Sequence, residues 1–252
     1  MQALIQKTAK ALVQARNAVA LTGAGASIES GIPPFRGPGG LWERMDPMEV
    51  AHIDAFRRDP EKVWRLLIQG MQEVLTAASP NAGHRGLAQL EQWGYLQAVI
   101  TQNVDGLHQA AGSRDVIEFH GSFAWQRCLD CDRRCETHRV DLSRIPPRCS
   151  CGGIYRPDCI FFGELIPPQL LERSHQLMAR CDVLLVVGTS ATVQPAAMMP
   201  LLAKETGARV IEINPEPTPL TGRISDFFLQ GGAGAVMDDI LASVAAMRAS
   251  TV

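Results

Sequence analysis

The chain has 252 residues, of which 46% are hydrophobic, and a formal net charge of −2 from 24 Lys plus Arg against 26 Asp plus Glu. That length suits one large domain or a core domain with a small satellite, and the apolar fraction is too high for a disordered chain. No apolar run approaches the ~20 residues of a membrane-spanning helix, and a near-neutral charge argues against gripping nucleic acid through a basic field. Neither a membrane partner nor a direct nucleic-acid partner is expected.

The first 28 residues carry Lys7, Lys10 and Arg16 but no acid, a pattern superficially like a mitochondrial presequence. Leu4, Ile5, Leu12 and Val13 instead mark an amphipathic helix that runs into the first strand, so the segment reads as part of the fold. Short flanks fit a bacterial or archaeal cytoplasmic protein; they also fit a compact monomeric core, although the sequence does not set the oligomeric state. Strand-like runs are expected at 18–22, 96–101, 116–119, 159–162, 181–187, 209–213 and 226–229. Helix-length segments lie at 60–77, 84–93, 168–180, 195–206 and 233–247. This alternation predicts an α/β fold, a Rossmann-like parallel sheet with helices on both faces. Residues 1–44, 79–123 and 157–252 form that domain in this reading. A helical insertion (45–78) and a polar, cysteine-rich module (124–156) form the small domain.

Seven cysteines are present, five of them between Cys128 and Cys151. Without a signal peptide, such crowding points to metal before disulfides. Cys128-x-x-Cys131 and Cys149-x-Cys151 have 17 residues between the pairs, and four thiolates on two short turns suit one tetrahedral structural zinc. Gly152 and Gly153 relax the tighter second turn. Cys135 and His138 are alternative ligands, Cys135 being read as a spare, and Cys159 and Cys181 as buried strand residues.

In a parallel sheet, chemistry gathers beyond the carboxyl ends of the strands. Gly23-Ala24-Gly25-Ala26-Ser27 follows the first strand as a phosphate-binding turn should, although Ile28 stands where the dinucleotide fingerprint wants a glycine. Phe35 and Arg36 on the following Gly/Pro-rich loop are suited to cover a ring and contact a phosphate. Gln102-Asn103-Val104-Asp105, His120-Gly121 and Gly188-Thr189-Ser190 also sit at strand ends.

Taken together, GAGAS-IESGIPPFRG, TQNVDGLH, the His-Gly pair, the cysteine module, FFGE (161–164), GTS and Ile213-Asn214-Pro215-Glu216 resemble the sirtuins, NAD-dependent protein-lysine deacylases, over essentially the whole chain. The resemblance implies that the acyl oxygen of a modified lysine attacks the nicotinamide ribose of NAD, and that His120 then acts as general base on a ribose hydroxyl. It implies release of free lysine, nicotinamide and O-acetyl-ADP-ribose, with acyl-lysine proteins or peptides as partners. Asn103 and Asp105 would be catalytic with His120, orienting ribose and carboxamide. Gly23, Ala24, Gly25, Ser27, Ile32, Phe35, Arg36, Gln102, Gly188, Thr189, Ser190, Asn214, Glu216 and Ala233 would complete the NAD site. Ile160, Phe162, Gly163, Glu164 and Val193 would meet the substrate.

A helix cap is the alternative role for Asp105, and His84 and His108 read as helix-start and packing residues. Sirtuins that prefer acidic acyl groups carry a Tyr-x-x-Arg pair; here those positions fall at Leu67 and Gly70, which predicts a neutral acyl group, with Arg65 as the counter-candidate. Two other functions stay open at this level: protein mono-ADP-ribosyl transfer, and a non-catalytic NAD-sensing module.

Overall fold

Residues 1–37 and 39–250 are described by the structure, a computed structural model of the chain. Among them nine strands form: β1 (Ala18–Thr22), β2 (Ala98–Thr101), β3 (Val116–Glu118), β4 (Gly121–Cys128), β5 (Arg134–Glu136), β6 (Tyr155–Cys159), β7 (Val183–Val187), β8 (Arg209–Asn214) and β9 (Phe227–Gln230). Six of them make one sheet in the order β3-β2-β1-β7-β8-β9, with every pairing parallel.

Both faces of that sheet are covered, which is why its central strands are apolar runs rather than alternating ones. Ala18 and Ala20 of β1 and Val183, Leu185 and Val187 of β7 pack on one side, against Ile5 and Leu12 of helix Gln2–Gln14, Leu87 and Leu90 of helix Ala82–Gln92, and Met237 and Ile240 of helix Ala233–Ala249. Val19, Leu21, Leu184 and Val186 face the other way, onto Met178 of helix Pro168–Arg180 and Met199 and Ala203 of helix Met199–Glu205. Each buried Val, Leu, Ile or Met among them contributes about 1.5–3 kcal/mol relative to exposure, and each alanine less. Helix Ala82–Gln92 starts with a reciprocal cap: the Asn81 side chain accepts from the His84 N–H, and the Asn81 N–H donates to His84 Nδ1.

The long pattern at 60–77 forms as Pro60–Val63, a π-turn over Trp64–Ile68, and Gln69–Ala77. Trp64 and Ile68 are fully buried, packed with Phe56, Cys159 and Phe161. The Trp64 indole N–H donates to the Tyr155 carbonyl at 2.9 Å, so this insertion is fastened to β6.

One expected strand needs correction. Residues 159–162 are not a strand of the parallel sheet: β6 ends at Cys159 and belongs to a separate antiparallel sheet of order β5-β4-β6. Pro157 has no N–H for a ladder and is tolerated because β6 is an edge strand. Beyond Cys159 the chain makes only a single bridge, Phe162 to His52, before Gly163 turns it at φ +86. The architecture is a Rossmann-like parallel sheet, a small antiparallel sheet bearing the four cysteines, and a helical insertion. No helix among the described residues is long and apolar enough to cross a membrane.

Candidate active site

Strand order reverses between β1 and β7, whose ends Thr22 and Val187 lie side by side. Their outgoing loops open a crevice there, the usual ligand position in such sheets. The loops touch backbone to backbone: Gly23 N–H donates to the Val187 carbonyl at 3.1 Å and Gly25 N–H to the Gly188 carbonyl at 2.7 Å. A Cβ on Gly25 would lie 2.7 Å from Gly188 Cα, and one on Gly188, at φ +60, would lie 2.2 Å from Ala26 N. These glycines are therefore demanded by loop-to-loop contact, beyond any ligand they admit.

Past Gly23 the chain coils into a short 3-10 helix, Ala24–Ser30, which buries Ser27. The Ser27 hydroxyl donates to Asp105 Oδ2 at 2.7 Å and accepts from Asn103 Nδ2 at 3.0 Å. His84 Nε2 stands 3.3 Å from the same oxygen. Because His84 Nδ1 accepts the Asn81 N–H, its ring proton is on Nε2, and the imidazole donates to Ser27. Asp105 Oδ1 accepts from Leu107 N–H, the first N–H of the helix Leu107–Ala110, at 2.9 Å, while Gly106 holds the N-cap position itself, and Oδ2 faces Ser27. Among the described residues Asp105 forms no ion pair with Lys or Arg. A carboxylate so placed suits a cationic ring or a ribose carbon that gains positive charge.

Gln102 Nε2 donates to Thr189 Oγ1 at 2.9 Å, joining the β2 loop to the β7 loop. Half-buried His120 lies just past β3, and its Nδ1–H donates to the Gln102 carbonyl at 3.0 Å. Nε2 keeps its lone pair. Burial lowers the pKa of this imidazole from 6.5, only partly offset by the hydrogen bond to Gln102, so the ring is a neutral base at pH 7. Gly121 follows at φ +75, where a Cβ would lie 2.3 Å from the Asp158 carbonyl; only glycine lets β4 leave so tightly against β6.

Ile160 N–H donates to the His120 carbonyl at 2.8 Å, so the segment 160–164 begins beside the base. Phe162 exchanges backbone hydrogen bonds with Ala51 and Ile53. Glu164 Oε2 accepts from Phe161 N–H at 2.9 Å and from Arg156 at 2.7 Å, fixing the turn at Gly163. Ile32 is buried and donates to the Ser27 carbonyl; Ala24 is half-buried on the 3-10 helix. Phe35 stacks on Trp42 at 5.4 Å. Ala233 is buried at the start of its helix, held near the 3-10 helix where Gly234 N–H donates to Glu29. Asn214 ends β8 and donates to the Glu216 carbonyl. Arg36, Ser190 and Glu216 are exposed and Val193 half-buried, and none of them hydrogen-bonds to the Ser27 cluster.

The metal site is compact. The Sγ atoms of Cys128, Cys131, Cys149 and Cys151 lie within 4.8 Å of one another, with Cys128–Cys151 at 3.6 Å and Cys131–Cys149 at 3.7 Å. A tetrahedron with Zn–S bonds of about 2.3 Å has edges of about 3.8 Å, so the cluster is consistent with zinc. Cys135 stands outside it on β5, and His138 pairs with Glu136.

Sequence reasoning missed the contacts that His84, His108, Thr22, Thr101 and Arg156 make. His108 Nε2 lies 2.9 Å from Thr22 Oγ1 across 86 residues of chain, a pairing no local pattern carries. Burial lowers the His108 pKa to about 3 and that of His84 in the same direction. The unfolded chain takes up these protons as pH falls through about 6.5, while the folded chain takes them up only at lower pH, so the stability is present at higher pH and falls as pH drops. At pH 5, His108 alone removes about 2 kcal/mol. Urea unfolding at pH 7.5 and pH 5 should show that loss; equal midpoints would contradict it.

Residues 23–195 match the Sir2 family. The chain is similar to NAD-dependent protein deacylase 1 of Archaeoglobus fulgidus, 48% identical over 95% of this chain and 97% of that one. It is also similar in structure to a Sir2 homologue in complex with NAD (47% identical, TM-score 0.89, 96% of this chain and 94% of that one). A Sir2–p53 peptide–NAD+ complex aligns with 34% identity and a TM-score of 0.88, over 96% of this chain and 99% of that one. The glycine crevice, the Ser27 cluster, the base beside it and the four-thiol module thus occur together in a chain that belongs to the Sir2 family, the sirtuins.

Proposed function

We propose that this chain, an NAD-dependent protein deacylase, removes acetyl and other neutral acyl groups from lysine side chains, with release of nicotinamide and O-acetyl-ADP-ribose. The observation that carries this reading is the hydrogen-bonded cluster of Ser27, Asn103 and Asp105 at the sheet's switch point, its carboxylate without an ion pair to Lys or Arg among the described residues, with the neutral base His120 held on the adjoining Gln102 carbonyl. When bound, NAD supplies an electrophilic ribose carbon whose leaving group is nicotinamide. Asn103 and Asp105 orient the ribose and carboxamide and offset positive charge on that carbon. His120 takes a proton at Nε2 from a ribose hydroxyl. Gly23, Ala24, Gly25, Ser27, Ile32, Gln102, Gly188, Thr189 and Ser190 line the dinucleotide, Phe35 and Arg36 cover it, and Asn214, Glu216 and Ala233 hold its adenosine end.

The partner is an extended acyl-lysine segment of a protein, paired as an added strand along Phe162, Gly163 and Glu164. Ile160, Phe162 and Val193 enclose the lysine methylenes. The enzyme works in the cytoplasm, and 45–78 with 124–156 make up its small domain. Cys128, Cys131, Cys149 and Cys151 hold a structural zinc, with no open position for chemistry.

Acyl choice follows from the insertion. Leu67 is buried, Gly70 has no side chain, and Arg65 is engaged on the exposed face with Glu61 at 2.9 Å. No cation is thereby offered to a second carboxylate. With NAD, an acetyl-lysine peptide should lose its acyl group at least about tenfold faster than the succinyl version of the same peptide, a difference of ~1.4 kcal/mol. Mass spectrometry of peptide, nicotinamide and O-acetyl-ADP-ribose checks this. Faster succinyl removal would refute the neutral-acyl assignment, and label from NAD retained on protein would indicate ADP-ribosyl transfer instead.

A further inference from the structure

Behind the Ser27 cluster lies a second histidine with its own hydroxyl relay. His108, only 1% exposed, sits in the first turn of the helix Leu107–Ala110. Its Nε2 is 2.9 Å from Thr22 Oγ1, and the Thr22 hydroxyl donates its one proton to Thr101 Oγ1 at 2.8 Å. Nε2 must therefore be the donor toward Thr22. Thr101 Oγ1 also accepts the backbone N–H of Asn103 at 3.1 Å. The donations run His108 to Thr22 to Thr101, where they meet the main chain of Asn103. The Asn103 side chain in turn donates to the Gly23 carbonyl at 3.1 Å and to Ser27.

We propose that His108, acting through Thr22 and Thr101, is a positioning residue that sets Asn103 for cleavage of the nicotinamide–ribose bond. It touches neither NAD nor the acyl-lysine; it clamps the ends of β1 and β2 together at the residue that turns Asn103 into the crevice. A purely packing side chain explains the site poorly. With its proton on Nε2, the ring leaves Nδ1 as a buried acceptor with no partner among the described residues, and burial keeps it uncharged near neutral pH. An apolar side chain would fill the space without that cost. A lysine or arginine would add positive charge near the carbon where it develops, whereas a neutral imidazole supplies a donor alone.

The inference rests on the deacylase reading, and its test separates the two. In the 252-residue chain, T22V and H108F remove the relay, while T22S and H108Q keep a hydroxyl and a donor at the Nε2 position. Nicotinamide exchange and deacetylation are followed at saturating NAD, with thermal midpoints measured in parallel. T22V and H108F should each lower kcat about tenfold, as small misplacements of an orienting group do, with KM for the acyl peptide little changed. T22S and H108Q should recover most of the rate. The T22V/H108F double variant should be no slower than the slower single, because both break one relay. The acid limb of the pH profile should stay where it is in H108Q.

Wild-type kcat in H108F and T22V at temperatures well below their midpoints would overturn the proposal. So would losses that multiply in the double variant. If H108F does not fold, the near-isosteric pair T22V and T22S decides alone. Wild-type protein that fails to cleave NAD in the same assay would instead refute the deacylase reading.

Discussion

Replacing His120 with alanine is expected to lower NAD-dependent deacetylation by roughly 10²- to 10⁴-fold, the range for loss of a positioned general base. Nicotinamide exchange should fall far less, because the base acts on a ribose hydroxyl after the nicotinamide bond has broken. Nδ1 of the ring is spent on the Gln102 carbonyl, so all basicity resides at Nε2. The pH dependence has a definite sign. Burial is the largest influence on this imidazole and lowers its pKa from 6.5, so the neutral, active form persists to more acidic pH than for a free histidine. The ascending limb of kcat/KM against pH should lie below 6.5 in the wild type. Stopped assays with acetyl peptide and carbonyl-labelled nicotinamide measure both reactions. Deacetylation within about tenfold of wild type in His120→Ala would remove His120 from the role of base.

Removing the metal should have the second large effect, and it should be structural before it is catalytic. Structural zinc sites contribute apparent binding free energies of about 10–16 kcal/mol, comparable with the whole stability of a typical domain at about 5–15 kcal/mol. Cys128 ends β4 and Cys149 is buried beside Tyr155, so these ligands organise the antiparallel sheet. Loss reaches further than the module, because β6 carries the Tyr155 carbonyl that binds Trp64 and leads to Ile160 beside His120. Cys149→Ser, or treatment with a strong chelator, should abolish metal binding, lower the thermal midpoint and reduce deacetylation together. Zinc returned to the chelated protein should restore all three. A metal-free protein with unchanged midpoint and unchanged activity would refute the structural role.

Much of this was legible because it is local. The β1 and β7 runs are apolar on both faces, so Ala18–Thr22 and the core of 181–187 announce a parallel sheet, and Pro168 begins its helix where a proline should. The thiol pairs could be read from spacing alone. What stayed hidden depends on contacts distant in sequence. Residues 159–162 look like a strand by composition, yet Cys159 pairs with the hairpin strand β4 and Phe162 bridges His52, and none of them joins the parallel sheet. His84 and His108 sit in helix-start contexts, and that is all their local sequence conveys. Their second contacts, to Ser27 and Thr22, span 57 and 86 residues and leave no periodic trace.

The hydrogen bond from Ile160 to His120 also has a mechanical meaning. The chain departs for the antiparallel sheet right after residue 120 and returns at residue 160, so the whole excursion is cinched at its root. A tilt of that sheet pivoting at this root would move each residue in proportion to its distance from it. The eight residues of β4 make a lever arm of roughly 26 Å. A swing of about 10° would sweep the thiol end through roughly 4–5 Å over that arm, yet leave the imidazole almost at rest. The base thus sits where a swing of this kind would displace it least.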